Sequence, residues 1–173
     1  MIWDEEFATG QWEYLDNTSE DIIYGYLGKY LNNGRILDLG CGSGNTGNEL
    51  DISLYSKYTG VDISEVATRR AEARSMKNGR RERNEYFCSD IASFAPRMNY
   101  DVILFRESIF YIPLSRIEAV LERYSAFLSE DGVFVVRMCD RKKYSKIVQL
   151  IESNHRILEM TPSADPNVVL IFR

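Results

Sequence analysis

Three glycines at alternate positions, directly after a short apolar run, are the strongest chemical signal in this sequence. Residues 36–39 read Ile-Leu-Asp-Leu, and residues 40–44 read Gly-Cys-Gly-Ser-Gly. Glycine permits a sharp turn and lets a ligand lie against the main chain, because no Cβ stands in the way. A helix starting just after such a turn presents unpaired N–H groups to an anionic ligand group. The pattern indicates a nucleotide-type ligand, and a turn that serves packing alone is the less favoured interpretation.

Two acidic residues follow the next two apolar runs. Asp62 lies about twenty residues beyond the glycines, where a carboxylate can accept hydrogen bonds from both hydroxyls of a ribose. Asp90 ends the third run and could accept from an adenine amino group while Ile91 covers the ring. Each acid has an ordinary alternative, since Asp62 could cap the helix after it and Asp90 could be a plain loop residue.

The elements that position these residues alternate along the chain. Predicted strands cover residues 35–39, 58–63, 85–88, 100–105, 133–138, 156–160 and 168–172, and predicted helices cover about 22–31, 45–54, 64–78, 114–128 and 143–153, with a turn at 129–132. Such alternation is typical of βα units on a parallel sheet. Residues 161–167 are too few for a crossover helix, so the last two strands must be antiparallel. The fold class is α/β, a doubly wound seven-stranded sheet that is mostly parallel and has an antiparallel C-terminal strand.

Length and composition predict one domain over residues 1–173. The chain is 45% hydrophobic and 27% charged, which is ordinary for a globular protein and too apolar for a disordered one. Its longest apolar stretches are strand-sized, so we expect no membrane span. The acidic start, Met1 to Glu6, lacks the basic region and apolar run of a secretory signal. A cytoplasmic protein is therefore expected.

Cysteine usage and charge narrow the partners. Cys41, Cys88 and Cys139 are widely spaced and form neither a disulfide framework nor a zinc set, so we predict reduced, mostly buried thiols and no metal. The net charge of −5 does not favour nucleic acid as a partner. Segment 69–83 is rich in arginine and is basic, in contrast to the chain as a whole. We interpret it as a solvated helix face.

At the glycine run, at Asp62 and at Asp90, the chain resembles the class I S-adenosylmethionine-dependent methyltransferases. The resemblance extends over nearly the whole chain and implies a Rossmann-like methyltransferase fold with S-adenosylmethionine as cofactor. A dinucleotide-binding oxidoreductase would have a third glycine at position 45, where Asn45 stands. Residues 106–113 are similar to the Glu-containing stretch of small-molecule methyltransferases. They lack the Asn/Asp-Pro-Pro-aromatic motif of enzymes that methylate exocyclic amines of nucleobases or glutamine amides.

The resemblance and the spacing together give a predicted site. The cofactor-binding residues are predicted to be Trp12, Tyr14, Asp38, Gly40, Cys41, Gly42, Gly44, Asp62, Ile63, Asp90, Ile91 and Arg106. Glu107 and Tyr111 are the catalytic candidates, although Glu107 could instead contact a ligand or pair with Arg106. Alignment supplies much of the rate because a sulfonium is already a good methyl donor, and a base is needed only for a protonated acceptor. The single histidine, His155, is expected to be structural.

The first eighteen residues are rich in aromatic side chains and are predicted to form a flap over a core of residues 19–173. Simple packing of these aromatic residues is the alternative. The predicted function is methyl transfer to oxygen or nitrogen of a small polar or glycan-like metabolite. A protein or RNA acceptor, or a non-catalytic subunit that binds S-adenosylmethionine, stays as an alternative. The sequence leaves open whether the chain is a monomer or a dimer.

Overall fold

A seven-stranded sheet lies at the centre of the computed structural model, which describes residues 2–12 and 18–173. Its strands are β1 (Gly34–Leu39), β2 (Tyr55–Asp62), β3 (Asn84–Cys88), β4 (Tyr100–Arg106), β5 (Leu128–Met138), β6 (Ile157–Met160) and β7 (Val168–Phe172). The strand order is β3-β2-β1-β4-β5-β7-β6. Strands β1 to β5 pair in parallel, and β7 runs antiparallel to both β5 and β6. The predicted fold class is confirmed.

Helices cover both faces of this sheet. Within the described ranges they are α1 (Ile2–Ala8), α2 (Ile23–Leu31), α3 (Asn45–Glu49), α4 (Glu65–Lys77), α5 (Leu114–Ser125) and α6 (Ser145–Asn154), with 3₁₀ turns at Ile52–Leu54 and Ile109–Tyr111. On one face, α5 and α6 bury apolar stripes that include Ile117 and Ile151. On the other face, α2 buries a stripe that includes Leu27. Burying each such side chain stabilises the fold by about 1.5 to 3 kcal/mol.

Helix α4 shows how the local sequence sets the bounds of an element. The hydroxyl of Ser64 accepts a hydrogen bond from the Ala67 N–H at 3.2 Å, which caps the first turn. The helix ends before Gly79, which adopts a φ of 68°. The cap fixes the chain direction immediately after Asp62, at the edge of the sheet where a site is expected.

Strand β5 begins earlier than the sequence predicts. Residues 129–132 were expected to form a turn, but they belong to β5, and Leu128 pairs with Tyr100 across a register irregularity. A Cβ on Gly132 would lie 2.8 Å from the Tyr100 carbonyl oxygen, so the close approach of the two strands requires glycine there. This glycine serves strand packing. It does not end the helix.

The arginine-rich segment is not a uniformly solvated face, so that interpretation was wrong in part. Arg80 donates to the carbonyl oxygens of Gly47 and Leu50, and Arg83 donates to that of Ile52. Arg81 is exposed, as predicted. Several arginines therefore hold the chain between α3 and β2 in place.

The structure also tests the expectations for the cysteines and for the single histidine. The three cysteines are free thiols, but only Cys41 is buried, whereas Cys88 and Cys139 are exposed. His155 follows α6, with Nε2 3.2 Å from a carboxylate oxygen of Glu118 and its ring against Phe172.

None of the helices in residues 2–12 and 18–173 is long and apolar enough to cross a membrane.

Candidate active site

A cavity of about 500 Å³ opens where the carboxyl ends of β1, β2 and β4 meet. Strand order reverses between β1 and β4, and open α/β sheets bind ligands at such a switch point. The volume lies within the range of small-molecule and cofactor sites. Asp38 comes from β1, Asp62 from β2 and Arg106 from β4, and all three line the cavity.

The glycine loop after β1 folds back over the end of β2. The N–H groups of Gly40 and Cys41 both donate to the Val61 carbonyl oxygen, at 2.8 and 3.0 Å. Gly40 has a φ of 88°, and a Cβ there would lie 2.3 Å from the Cβ of Ser108. Glycine at this position therefore lets the β1 loop contact the segment after β4 and leaves its backbone open to the cavity.

Gly44 has a different task from the one predicted. It lies outside the cavity lining, and a Cβ on it would lie 2.6 Å from the Cβ of Ala71 on α4. The third glycine thus allows the loop and α4 to pack closely. Helix α3, which follows, has only five residues, so the predicted anion site at a helix N-terminus is not supported.

Asp62 braces the glycine loop from the end of β2. Its Oδ2 accepts from the Gly42 N–H and its Oδ1 from the Ser64 N–H, both at 2.9 Å. Burial raises the pKa of this carboxyl, although the backbone donors oppose the rise. An ionised carboxylate has about four acceptor positions, so Asp62 keeps capacity for ligand hydroxyls.

Asp38 has one buried oxygen that lacks a donor. Its Oδ2 accepts from the Tyr58 hydroxyl at 2.7 Å, but its Oδ1 has no hydrogen-bond partner within the described part of the chain. The residue is 1% exposed, and burial raises its pKa to about 6, although Tyr58 and Arg106 lower it. An unsatisfied buried acceptor costs about 1 to 3 kcal/mol. Because Asp38 lines the cavity, a ligand donor fits at this oxygen.

Charged side chains alternate in sign along one wall of the cavity. Arg106 donates to Asp21 Oδ2 at 2.8 Å and to the Tyr24 hydroxyl at 2.9 Å. Arg137 lies with its Nε 3.5 Å from the same Asp21 oxygen, and its Nη1 donates to Glu107. The considered pairing of Glu107 with Arg106 was therefore wrong. The two neighbours point to different partners because Glu107 adopts a φ of 55°, in the left-handed region.

This wall is anchored behind the cavity as well. The Tyr24 hydroxyl donates to Glu49 Oε2 at 2.8 Å, and Glu49 also accepts from Thr18 and contacts Arg74. Burial raises the pKa of Tyr24 to about 12, so it stays a neutral donor. Nearby Asp21 and Tyr24 raise the pKa of Arg106 against its burial. The charges that face the cavity are thus held in fixed positions.

Aromatic side chains from α1 cover the mouth of the cavity. The rings of Trp3 and Tyr111 meet edge to face with centroids 4.8 Å apart, and Phe7 lies over Gly42. Asp4 fastens α1 to the start of α4, since its Oδ1 accepts from the Ser64 hydroxyl at 2.7 Å. Trp12 also lines the cavity.

The structure brings most of the predicted site residues together. Those that line the cavity are Trp12, Asp38, Gly40, Cys41, Gly42, Asp62, Ile63, Asp90, Ile91, Arg106, Glu107 and Tyr111. Tyr14 falls in residues 13–17, outside the described residues. Asp21 and Arg137 also line the cavity but were not predicted from the sequence. Arg137 could have been found as the one charged residue in the apolar run 133–138, but no spacing marks Asp21.

A family model for a methyltransferase domain matches residues 36–132, which include the glycine loop, Asp62, Asp90 and Glu107. The chain therefore belongs to the class I S-adenosylmethionine-dependent methyltransferases, a family whose cofactor is S-adenosylmethionine. The unpaired Asp38 oxygen, the open glycine backbone and the acceptor capacity of Asp62 fit such a ligand.

Among curated proteins, the chain is similar to N-terminal Xaa-Pro-Lys N-methyltransferase 1 of Xenopus tropicalis and of Homo sapiens. Each is 30% identical over 102 residues, which is 58% of this chain and 45% of the relative. The match thus spans less than half the length of these relatives.

Two solved structures have a similar fold. The 1,6-didemethyltoxoflavin-N1-methyltransferase of Burkholderia thailandensis has a TM-score of 0.77 at 16% identity, over 98% of this chain and 84% of that one. The N-methyltransferase NodS of Bradyrhizobium japonicum, in complex with S-adenosylhomocysteine, has a TM-score of 0.72 at 18% identity, over 94% and 90%. At these identities the likeness shows the fold.

Proposed function

We propose that this chain transfers a methyl group from S-adenosylmethionine to oxygen or nitrogen of a small polar or glycan-like metabolite. One observation carries the proposal. A single covered cavity is lined by the glycine loop and Asp62, which suit the cofactor, and by Glu107 and Tyr111, which suit an acceptor. The whole chain is proposed to act as one domain, with residues 1–18 as its flap. A cytoplasmic location belongs to the same proposal and agrees with three free thiols.

Residues at the ends of three adjacent strands would hold the cofactor. Asp38 Oδ1 and the glycine loop suit its amino-acid part, Asp62 its ribose, and Asp90 with Ile91 its adenine. When bound, S-adenosylmethionine supplies an activated methyl group on a positively charged sulfur. The protein's main task is to align an acceptor with that group and to keep water out.

Glu107 is the proposed proton acceptor. Its carboxylate lines the cavity and accepts a hydrogen bond from Arg137, which fixes its position. Tyr111, packed against Trp3, would close the mouth over the acceptor. The covered mouth favours a small acceptor, because a large one would need α1 to move away.

A protein acceptor is the second candidate, and the curated relatives favour it, since they carry the name of enzymes acting on protein N-termini. A binding subunit without catalysis is the third. The decisive assay follows methyl transfer from S-adenosylmethionine to a metabolite panel and to a peptide that begins Xaa-Pro-Lys. We expect turnover with a small metabolite and none with the peptide. Turnover of the peptide alone would support the second candidate, and cofactor binding without any turnover would support the third.

Replacing the proposed base tests catalysis separately from binding. Glu107→Gln keeps the shape of the side chain but removes the proton acceptor, so turnover of a protonated acceptor should fall by roughly 10²- to 10⁴-fold. Affinity for S-adenosylhomocysteine, measured by calorimetry, should change little. A variant with wild-type turnover would remove Glu107 from the mechanism.

A further inference from the structure

A second cavity, of about 580 Å³, adjoins the first. It is lined by residues 18–22, Arg137, Asp165 and Asn167. Three of its residues, Thr18, Asp21 and Arg137, also line the first cavity, so the two spaces meet at the contact between Asp21 and Arg137. A molecule in the second cavity would therefore lie beside the residue that holds Glu107.

The lining of the second cavity is acidic. Glu20, Asp21 and Asp165 contribute carboxylates, whereas Arg137 is the one cation among the described lining residues. That cation is already paired, since it bonds to Glu107 and contacts Asp21. Asp21 is paired as well, with Arg106 and Arg137, whereas Glu20 and Asp165 form no ion pair within the described residues. An anionic ligand would therefore face like charges here, while a cationic one would find these two carboxylates.

The remaining lining groups suit a polar ligand. Thr18, Ser19 and Asn167 contribute hydroxyl and amide groups, and Ile22 is the one aliphatic residue of the described lining. Asp165 accepts from the Asn167 N–H through Oδ1 at 2.9 Å, so the ordered turn around it holds the carboxylate at the cavity. At the junction, the buried Nε of Arg137 has no hydrogen-bond partner among the described residues and lies 3.5 Å from Asp21 Oδ2.

We propose that the second cavity is the outer subsite for the acceptor, whose reacting end extends into the first cavity beside Glu107, and that the acceptor is a polar primary amine. This inference rests on the proposed methyltransferase function and narrows it to nitrogen. The carboxylates of Glu20 and Asp165 attract the cationic ammonium form toward the second cavity and accept hydrogen bonds from its hydroxyl groups. The amine end of the bound acceptor then lies at the junction beside Glu107.

The transfer step balances with the groups present. The ammonium loses one proton through Glu107 to water, which frees the nitrogen lone pair. The nitrogen then forms a bond to the methyl carbon, the carbon–sulfur bond breaks with its electron pair on sulfur, and the positive charge moves from sulfur to nitrogen. The products are an N-methylammonium and S-adenosylhomocysteine.

Three six-carbon probes that differ in one end group test the inference. The full chain, saturated with S-adenosylhomocysteine, is titrated with glucamine, sorbitol and gluconate while amide signals are followed by NMR. Glucamine should shift signals of residues 18–22, 165 and 167, and sorbitol and gluconate should bind at least fivefold more weakly. Equal binding of the three probes, or no binding of glucamine there, would overturn the proposal.

Paired variants test whether glucamine binds in the second cavity. A separate measurement with S-adenosylhomocysteine distinguishes failure of this subsite from failure of the proposed methyltransferase function. Glu20→Gln with Asp165→Asn should weaken glucamine binding about fivefold, because two partly exposed charge contacts are lost. Glu72→Gln with Glu122→Gln, at exposed carboxylates outside both cavities, should leave it unchanged. Failure of S-adenosylhomocysteine to shift the amides of residues 40–42 would instead overturn the proposed function.

Mass spectrometry with S-adenosylmethionine completes the test. Glucamine should gain one methyl group on nitrogen, and sorbitol should gain none. Glucamine that binds in the second cavity but is not methylated on nitrogen would show that this cavity is not the outer subsite for the acceptor.

Discussion

Two carboxylates of the candidate site differ in how their oxygens are bonded. Asp62 accepts one hydrogen bond from the Gly42 N–H and one from the Ser64 N–H, and thereby holds the glycine loop against β2. Asp38 keeps one buried oxygen without a donor in the described residues. The first residue shapes the site, and the second leaves a place for a ligand donor.

Replacing Asp62 should weaken cofactor binding strongly. Asp62→Ala removes the acceptor of the proposed ribose bonds, and charge-assisted hydrogen bonds contribute roughly 1.5 to 3 kcal/mol. Calorimetry with S-adenosylhomocysteine should therefore show a loss of about tenfold or more. Asp51→Ala is the matched control, since Asp51 also accepts from a backbone N–H, that of Ser53, but lies away from the cavity. Unchanged affinity in a folded Asp62 variant would contradict the ribose assignment.

Cofactor affinity should depend on pH through Asp38. Its pKa is raised by burial to about 6, and a positively charged amino group favours the ionised carboxylate. Binding should therefore weaken as pH falls through 6, by roughly fourfold between pH 7.5 and 5.5. The neighbouring charges are Arg106, which favours ionisation, and Asp62, which opposes it. Calorimetry at the two pH values checks this, and Asp38→Asn should remove the difference. A flat wild-type profile would argue against this role.

At the scale of elements, α1 is the helix that covers the mouth of the candidate site. It is seven residues long and has no buried residue of its own, so its packing contributes little to the core. Its position depends on the bond from Ser64 to Asp4 and on ring contacts to Tyr111. Elements with so few buried contacts open at low free-energy cost.

Both tryptophans of the chain, Trp3 and Trp12, should therefore report on cofactor binding. S-adenosylhomocysteine should quench or shift their emission and protect amides of residues 8–16 from hydrogen exchange, because the flap closes over the ligand. Deleting residues 1–16 should weaken binding and leave the sheet folded, as circular dichroism would show. If the shortened chain binds as tightly as the full one, α1 is ordinary packing and residues 106–114 cover the site alone.

At the scale of the whole molecule, charge is distributed unevenly. The net charge is −5, yet α4 and the residues after it carry many arginines. Their side chains donate hydrogen bonds to backbone carbonyl oxygens in and around the glycine loop. Arg74 donates to the carbonyl oxygen of Ser43, and Arg80 donates to that of Leu50. The basic segment thus supports the fold behind the site.

Charge-reversal variants of two neighbouring arginines, Arg80 and Arg81, should show that this segment supports the fold and does not bind the acceptor. Arg80→Glu loses donors to Gly47, Leu50 and Tyr55, and should cost about 2 kcal/mol of unfolding free energy, or roughly 4 to 8 °C in Tm. Arg81→Glu, at an exposed position, should leave Tm, cofactor affinity and turnover of a small acceptor unchanged. Calorimetry and the methyl-transfer assay check both. A large loss of activity in a folded Arg81 variant would indicate that the acceptor contacts this segment.

The sequence by itself determined the sheet and the edge of the sheet at which the candidate site lies. Alternating short apolar runs and helical segments fix a parallel sheet, because each run must be buried and each link must cross over a face. Glycines after the first strand and acids after the second and third then meet at one edge, since carboxyl ends of parallel strands lie together.

Only the tertiary structure decided how the charges pair. Asp21 precedes α2, Arg106 ends β4 and Glu107 follows it, and Arg137 lies in β5. Their contacts therefore depend on strand order and on the left-handed backbone of Glu107. The task of Gly44 and the start of β5 were likewise decided by close approaches to Ala71 and Tyr100. Spacing along a chain records local periodicity, whereas contacts between distant segments depend on side-chain packing in three dimensions.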